Sequence, residues 1–407
     1  MFDFNAYSSP LLPGFLQGVT FAIILCLRGM REERVSDYFA AILLAMGSLY
    51  VGQWMFGFAG WYDSHDWKTS LMFYVSWKNL LAFGPLIWLY FRSLTNTDFR
   101  WQRKYWWHFL PLFLSLLQPL TIFLYDFVYW LLIQGEAFTY FNNTRGPAAE
   151  WDNTYSSPVF YVIYGISVFH LLGYLIWTLI DYRKYRSYLS REFSNTEQLT
   201  FSSLRLTLFM MVFGVLATIF LDIHNLMYST SYIDSWDSFF VMSLFTYFAA
   251  IQLLAINPQM TRALRFLPDE EVGKVPPAGK INENINTAEQ EVDAELASWA
   301  KKLEERLALH QDYLNPDLKL GELAATIRTN SSVLSRVING SYGMNFNDFV
   351  NGRRCEAFME AVKANEHERH TLLSIALDCG FNSKSTFNRA FKKHTGNSPG
   401  EYVKGKN

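Results

Sequence analysis

Charge is what this chain has least of. Only 18% of its 407 residues are Asp, Glu, Lys or Arg, against about 25% in ordinary soluble domains. The net charge of −2 points to no partner by itself. Cysteine is also scarce: Cys26, Cys355 and Cys379 share no metal-ligand spacing. They read as reduced packing residues, which leaves no disulfide framework and no expected metal. Glycine-rich nucleotide-binding boxes are missing, which excludes a histidine kinase. No acids, bases or metal ligands cluster across the apolar segments, so no catalytic residues and no cofactor are expected, and the chain does not read as an enzyme.

Apolar surface is there in long runs instead. Half of the residues are hydrophobic and 17% aromatic, concentrated before residue 257. Runs of at least about 17 apolar residues are candidate bilayer spans. Seven can be drawn: Leu11–Leu27, Phe39–Gly60, Leu71–Phe91, Trp106–Tyr125, Val159–Ile180, Leu206–Ile223 and Phe239–Ile256. The fourth has a natural extension through "DFVYWLLI". The first does not read as a signal peptide, since Arg28 follows it and no Lys or Arg precedes it.

Lys and Arg fall on alternate connections. Arg28, Arg31 and Arg34 follow the first run, Arg92, Arg100, Arg103 and Lys104 the third, and Arg183, Lys184, Arg186, Arg191 and Arg205 the fifth. The other connections hold only Lys68 and Arg145 and are otherwise acidic. That asymmetry places the N-terminus outside and the tail in the cytoplasm of a cell inner membrane, and it requires an odd number of spans. Trp61, Trp67, Trp130, Trp151 and Trp236 fall near the outer boundary, as an aromatic belt would.

Ionisable residues within spans are costly and often functional. Lys78, Asp126, His170, Asp222 and His224 are the candidates for an outward-facing ligand pocket, with Lys78 pairing Asp126 or Asp222. The competing reading is a structural ion pair, or a lysine snorkelling to the surface. A retinal-binding bundle is excluded, because the seventh run has no lysine. A transporter stays open through the interruptions "FGPL" and "LQPL".

After "INPQ" the apolar signal stops. Residues 258–290, with Pro-Pro, Gly and Asn and no periodicity, read as a flexible cytoplasmic linker between a membrane sensor domain (1–257) and a soluble domain (291–407). Val292, Leu296, Trp299, Leu303 and Leu307 then recur at helical spacing. This stripe either packs into the core of the soluble domain or forms a dimerising coiled coil.

The tail reads helix, turn, helix twice over. In "LKLGELAATIRTNSSVLSRVING" the residues Leu320, Leu323, Ala324, Ile327, Val333, Leu334 and Val337 face inward, and Asn330-Ser331 starts the second helix. Ser332, Ser335, Arg336 and Asn339 are left outside. In "LLSIALDCGFNSKSTFNRAFKKHTG" the inward set is Ile375, Ala376, Cys379, Phe387 and Phe391, with Gly380 ending the first helix and Asn382-Ser383 capping the second. Lys384, Ser385, Thr386, Asn388 and Arg389 point out. A long helix joins the two pairs, close to one turn of DNA (about 34 Å) in length. From Arg328 onward, twelve Lys or Arg face seven acids, an excess suited to phosphate.

The string "GFNSKSTFNRAFKKHTGNSPGEY", with "ELAATIRTNSSVLSRVIN" before it, resembles the AraC/XylS-type DNA-binding domain over roughly the last quarter of the chain. The resemblance implies that Ser332, Ser335, Arg336, Ser385, Thr386 and Arg389 meet base edges and that Lys392 and Lys393 hold phosphates. Many members carry a soluble effector domain in front. This chain departs from them, so their effector logic does not carry over.

The expected fold is therefore all-α: a seven-helix transmembrane bundle followed by a cytoplasmic domain with two helix-turn-helix units. The expected function is a membrane-integrated one-component transcriptional regulator, whose membrane part senses and whose tail binds DNA. Either paired tails gain avidity or the linker is cut at "KVPPAGKIN" and the tail released. The implied partners are double-stranded DNA, the lipid bilayer, an unknown ligand or membrane stimulus, a second copy of the chain and RNA polymerase. Two other readings stand beside it: a transporter or membrane enzyme whose tail reports substrate occupancy, and an adaptor whose tail no longer binds DNA.

Overall fold

The computed structural model describes residues 3–75, 79–155, 157–196, 199, 202–228, 236–255, 264–266 and 285–405, with some helical side chains, including those of Asp222 and Val292, left outside the description. Every regular element among the described residues is helical, and only isolated bridges occur beside them. The chain divides into two compact units, Met1–Asp181 with Ser202–Phe266, and Tyr182–Phe201 with Leu267–Asn407.

The first unit is built on α1 (Leu12–Glu32), α2 (Val35–Phe56) and α4 (Leu80–Leu94), with α3 (Trp67–Tyr74) between the last two. α5 (Leu110–Ser115), α6 (Leu117–Phe123) and α7 (Pro147–Tyr155) follow. α8 (Ser157–Glu192) begins in this unit and ends in the second, and α9 (Ser202–Tyr228) and α10 (Trp236–Ala255) complete the first. Among the described residues four helices are long and apolar enough to cross a membrane: Ser9–Glu32, Val35–Trp61, Tyr161–Glu192 and Trp236–Ala255. Arg103–Ser115 and Leu117–Ile133 make a fifth if this pair, bent by 45°, counts as one span.

The third and fourth expected spans are thus not single straight helices. The third is split into α3 and α4, and Asn79 starts α4 by accepting a hydrogen bond from Leu81 N at 3.2 Å. The fourth bends at Leu116, where Pro119 cannot bond back to Ser115 and its ring crowds that carbonyl. Beyond the bend it stays helical through Leu124–Ile133, as the extension suggested.

Close helix packing in this unit depends on small residues. A Cβ on Gly14 would lie 2.5 Å from Ser243 O, so α1 and α10 meet almost backbone to backbone. At the α1–α2 turn, Arg28 holds Asp37 with two bonds, of 2.7 and 3.0 Å, and donates to Leu254 O at 3.1 Å. Leu264–Phe266, within the stretch expected to be linker, is instead paired with residues 95–97: Thr97 N donates to Leu264 O and Phe266 N to Thr95 O. The rest of 258–284 lies outside the described residues.

The second unit contains two hydrophobic cores strung on one helix. α11 (Ile285–His310) buries Leu303 and Leu307 against α12 (Leu320–Thr326) and α13 (Ser331–Tyr342). Leu303 and Leu307 of its stripe therefore serve that core, while the side chain of Val292 lies outside the described residues. α14 (Phe346–Lys363) gives Phe346, Phe349 and Val350 to this first core and Cys355, Phe358 and Val362 to the second. The second core is completed by Ile375 and Ala376 of α15 (Leu372–Asp378), then Phe387 and Phe391 of α16 (Lys384–Thr395), with α17 (Pro399–Lys404) against it. Eighteen residues of α14 span about 27 Å at 1.5 Å each.

Candidate nucleic-acid interface

Each of the helices α13 and α16 is started by a side chain that satisfies a free backbone N–H. Asn330 accepts from Val333 N at 2.9 Å, and Ser383 accepts from Thr386 N at 3.2 Å. Gly343 and Gly396 end them in left-handed conformation. Leu334, Val337 and Ile338 of α13 are buried, which leaves Ser332, Arg336 and Asn339 exposed and Ser335 half-buried. On α16, Phe387 and Phe391 are buried while Lys384, Ser385, Asn388, Arg389, Lys392 and Lys393 are exposed.

Thr386 departs from expectation. It is 3% exposed, and its Oγ1 accepts from Ser383 Oγ at 3.1 Å, so the hydroxyl belongs to the helix start and cannot reach a base edge from there. Its position beside Phe387, one step round from the apolar face, explains the burial. Lys393 is exposed but not free: its Nζ pairs with Asp348 Oδ1 at 2.7 Å, across from α16 to the start of α14. Asp348 is thus the partner of Lys393.

A cleft of about 790 Å³ opens between the helix pairs, lined by Asn339, Asn347, Asp348, Arg389, Lys393 and His394 among others. Its polar lining and the exposed cations beside it suit a backbone of phosphates.

Sequence reasoning passed over Arg354, the residue that ties the 313–315 segment to α14. It is 1% exposed and lies between Val350 and Phe358 on α14. Its Nε donates to Tyr313 O at 2.7 Å, Nη1 to Asn351 Oδ1 at 3.2 Å, and Nη2 to Asn315 O at 2.7 Å and Ser194 Oγ at 3.2 Å. Among the described residues no carboxylate touches it, and burial pulls its pKa down to about 10. Nearby, burial pushes the thiols of Cys355 and Cys379 up to about 12 and about 11, as inert packing groups.

The sequence that carries these features is similar to known proteins. A family model described as a helix-turn-helix domain matches residues 323–405. The probable transcription factor PqrA of Proteus vulgaris is 31% identical over 88 residues, covering 22% of this chain and 70% of that protein. The chain belongs to the AraC-type helix-turn-helix family. Uncharacterized HTH-type transcriptional regulators of Staphylococcus aureus strains COL and MSSA476 are each 34% identical over 91 residues, 22% of this chain and 12% of theirs. The AraC-type chain thus spans only a small part of the length of those staphylococcal relatives. No solved structure matches it.

The five residues expected to line a ligand pocket are not gathered by what is described. Lys78 lies outside the described residues, as does the side chain of Asp222. Asp126 is fully buried and engaged: it accepts from Tyr74 Oη at 2.7 Å and from Ala148 N and Ala149 N at 2.9 Å each, tying down the start of α7. His170 packs its ring on Tyr174 at 4.9 Å, and His224 has an exposed side chain on α9. Among the described residues no three His, Cys, Asp or Glu side chains gather as metal ligands.

Proposed function

We propose that this AraC-type chain is a membrane-integrated one-component transcriptional regulator. Residues 1–257 form a seven-span sensor with the N-terminus outside, 258–290 form the cytoplasmic linker, and 291–407 bind DNA. In this reading α12–α13 and α15–α16 are two helix-turn-helix units that enter successive major grooves on one face of a duplex. Ser332, Ser335, Arg336, Lys384, Ser385, Asn388 and Arg389 face the bases, and Lys392 holds phosphate, with Lys393 joining once Asp348 releases it. The observation that carries the reading is the pair of capped, outward-basic helices strung on one helix, in a chain with long apolar helices.

The full chain in lipid nanodiscs, incubated with a pool of random duplexes, tests it. A recovered consensus with two half-sites about one turn apart is expected. Arg389→Ala then loses about 1–3 kcal/mol and relaxes one position. Lys392→Ala weakens all sequences alike and lowers the salt slope by about one. Failure to select any sequence at moderate ionic strength would end the proposal, as would a C-terminus reachable by reagents outside intact cells.

A further inference from the structure

The junction between the two cores is met by a segment from the middle of the sequence. α8 runs from the first unit into the second, and the residues just after it, Phe193 and Ser194, are both buried (6% and 0% exposed). Ser194 N donates to Leu318 O at 3.1 Å, and Phe193 bridges Lys319 in antiparallel fashion. Asn347, on the first turn of α14, donates to Ser194 O at 2.6 Å and Phe193 O at 3.3 Å. Ser194 Oγ takes a fourth bond from the Arg354 guanidinium. Two residues therefore touch the segment before α12, the start of the joining helix and the cation between the cores. Asn347 also lines the cleft beside Arg389 and Lys393.

We propose that Phe193–Ser194 is a clamp on this hinge, by which the end of α8 sets the angle between the two halves of the DNA-binding region. The partner of this surface is the chain's own connection after α8, and its recognition is chemical: two backbone carbonyls for the Asn347 amide, one backbone N–H for Leu318 O, and a hydroxyl for a guanidinium without a carboxylate. A buried guanidinium at 1% exposure needs every acceptor it can find. Withdrawing Phe193–Ser194 leaves Arg354 with one unmade bond and Asn347 with two. Besides α14, the halves meet at Lys393–Asp348, at Asn382–Asp317 and where Gly380 lies against Leu314 O, the last two on the segment 313–319 that Ser194 holds, so loss of the clamp is felt as freedom between them. Movement of α8 would then reach the reading helices without passing through residues 258–290. The functional meaning rests on α13 and α16 as DNA-reading helices, but the test uses no DNA, so the two claims fail separately.

The test takes the full chain in nanodiscs with Cys26→Ala and nitroxide labels at Ser341→Cys and Gly400→Cys, one on each half. Both positions are exposed, and no atom lies within 4 Å of a Cβ at Gly400. Cys355 and Cys379 are buried and remain. The double variant Ser194→Ala, Asn347→Ala is expected to broaden the distance distribution between labels. It should also speed hydrogen exchange at the Ser194 amide about tenfold, the worth of one or two lost hydrogen bonds. Asn347→Asp keeps the side chain's shape but donates to neither carbonyl, and it should behave as the double variant does. Distances and exchange that stay as in the parent for both variants would overturn the clamp.

Discussion

Replacing Arg354 by Met keeps an unbranched stem of similar reach and removes only the guanidinium. Within the DNA-binding region its head makes three bonds to neutral acceptors, two of them at 2.7 Å to Tyr313 O and Asn315 O and one at 3.2 Å to Asn351 Oδ1. Hydrogen bonds to a charged group contribute about 1.5–3 kcal/mol each, so the three together are worth about 5–9 kcal/mol. Against this stands the cost of holding a cation away from water and without a carboxylate. The fall of its pKa from 12.5 to about 10 converts to about 3 kcal/mol. The net expectation is a loss of about 2–5 kcal/mol, because Tyr313 O and Asn315 O keep their burial and lose their donor. The buried thiols supply the assay. In a Cys26→Ala background of the full chain, the rate of thiol labelling at Cys355 and Cys379 against urea reports opening of this region alone. A shift below about 1 kcal/mol would show that the bonds and the desolvation cancel and that Arg354 does not hold the 313–315 segment to α14.

Asp348→Asn should free Lys393 and steepen the salt dependence of duplex binding by up to about 0.9 in log–log slope, one more phosphate engaged. An unchanged slope would leave the Lys393–Asp348 pair without a role in binding. Gly380→Ala should destabilise the second core by more than the about 1–2 kcal/mol of left-handed strain alone, because φ is +90° and a Cβ would lie 2.7 Å from Leu314 O; faster labelling of Cys379 checks it. Alkaline pH should weaken the same core. The folded thiols lie above their ordinary 9.0, so their contribution is whole below pH 9 and is lost as pH rises towards about 11–12. Circular-dichroism melts at pH 8 and pH 10.5 should separate, and Cys355→Val should narrow the gap.

The C-terminal region was readable because its pattern is short-range. Leu323, Leu334, Val337, Phe387 and Phe391 repeat at helical spacing, and both helix starts carry a side chain that can satisfy a free N–H. What escaped depends on partners distant in sequence. Arg354 stands in "GRRCE", where Arg353 looks its equal, yet Phe346, Val350, Arg354, Phe358 and Val362 form an unbroken i, i+4 row. That row carried the signal: a cation inside it must be buried. Its acceptors, up to 160 residues away, leave no local trace. Asp126 misled for the same reason, since a carboxylate in an apolar run looks like a pocket until the N-terminus of α7 is seen against it. The bend at Leu116 was legible as Pro119, but periodicity alone reads across it.

The two cores of the DNA-binding region are each closed by aromatic and aliphatic side chains, whereas the contacts named between them are polar. Apolar packing is steep and non-directional, so each half moves as a body. Polar contacts at a hinge have alternatives in water, and the net change on trading one is about 0.5–1.5 kcal/mol. That is the scale at which a population shifts severalfold without either half unfolding. On the proposed reading, placing α13 and α16 in two grooves from one side needs this division: stiffness where the helices are held, and a bias of one or two hydrogen bonds where their mutual angle is set. Phe193 and Ser194, Asn347 and Arg354 are placed to supply that bias.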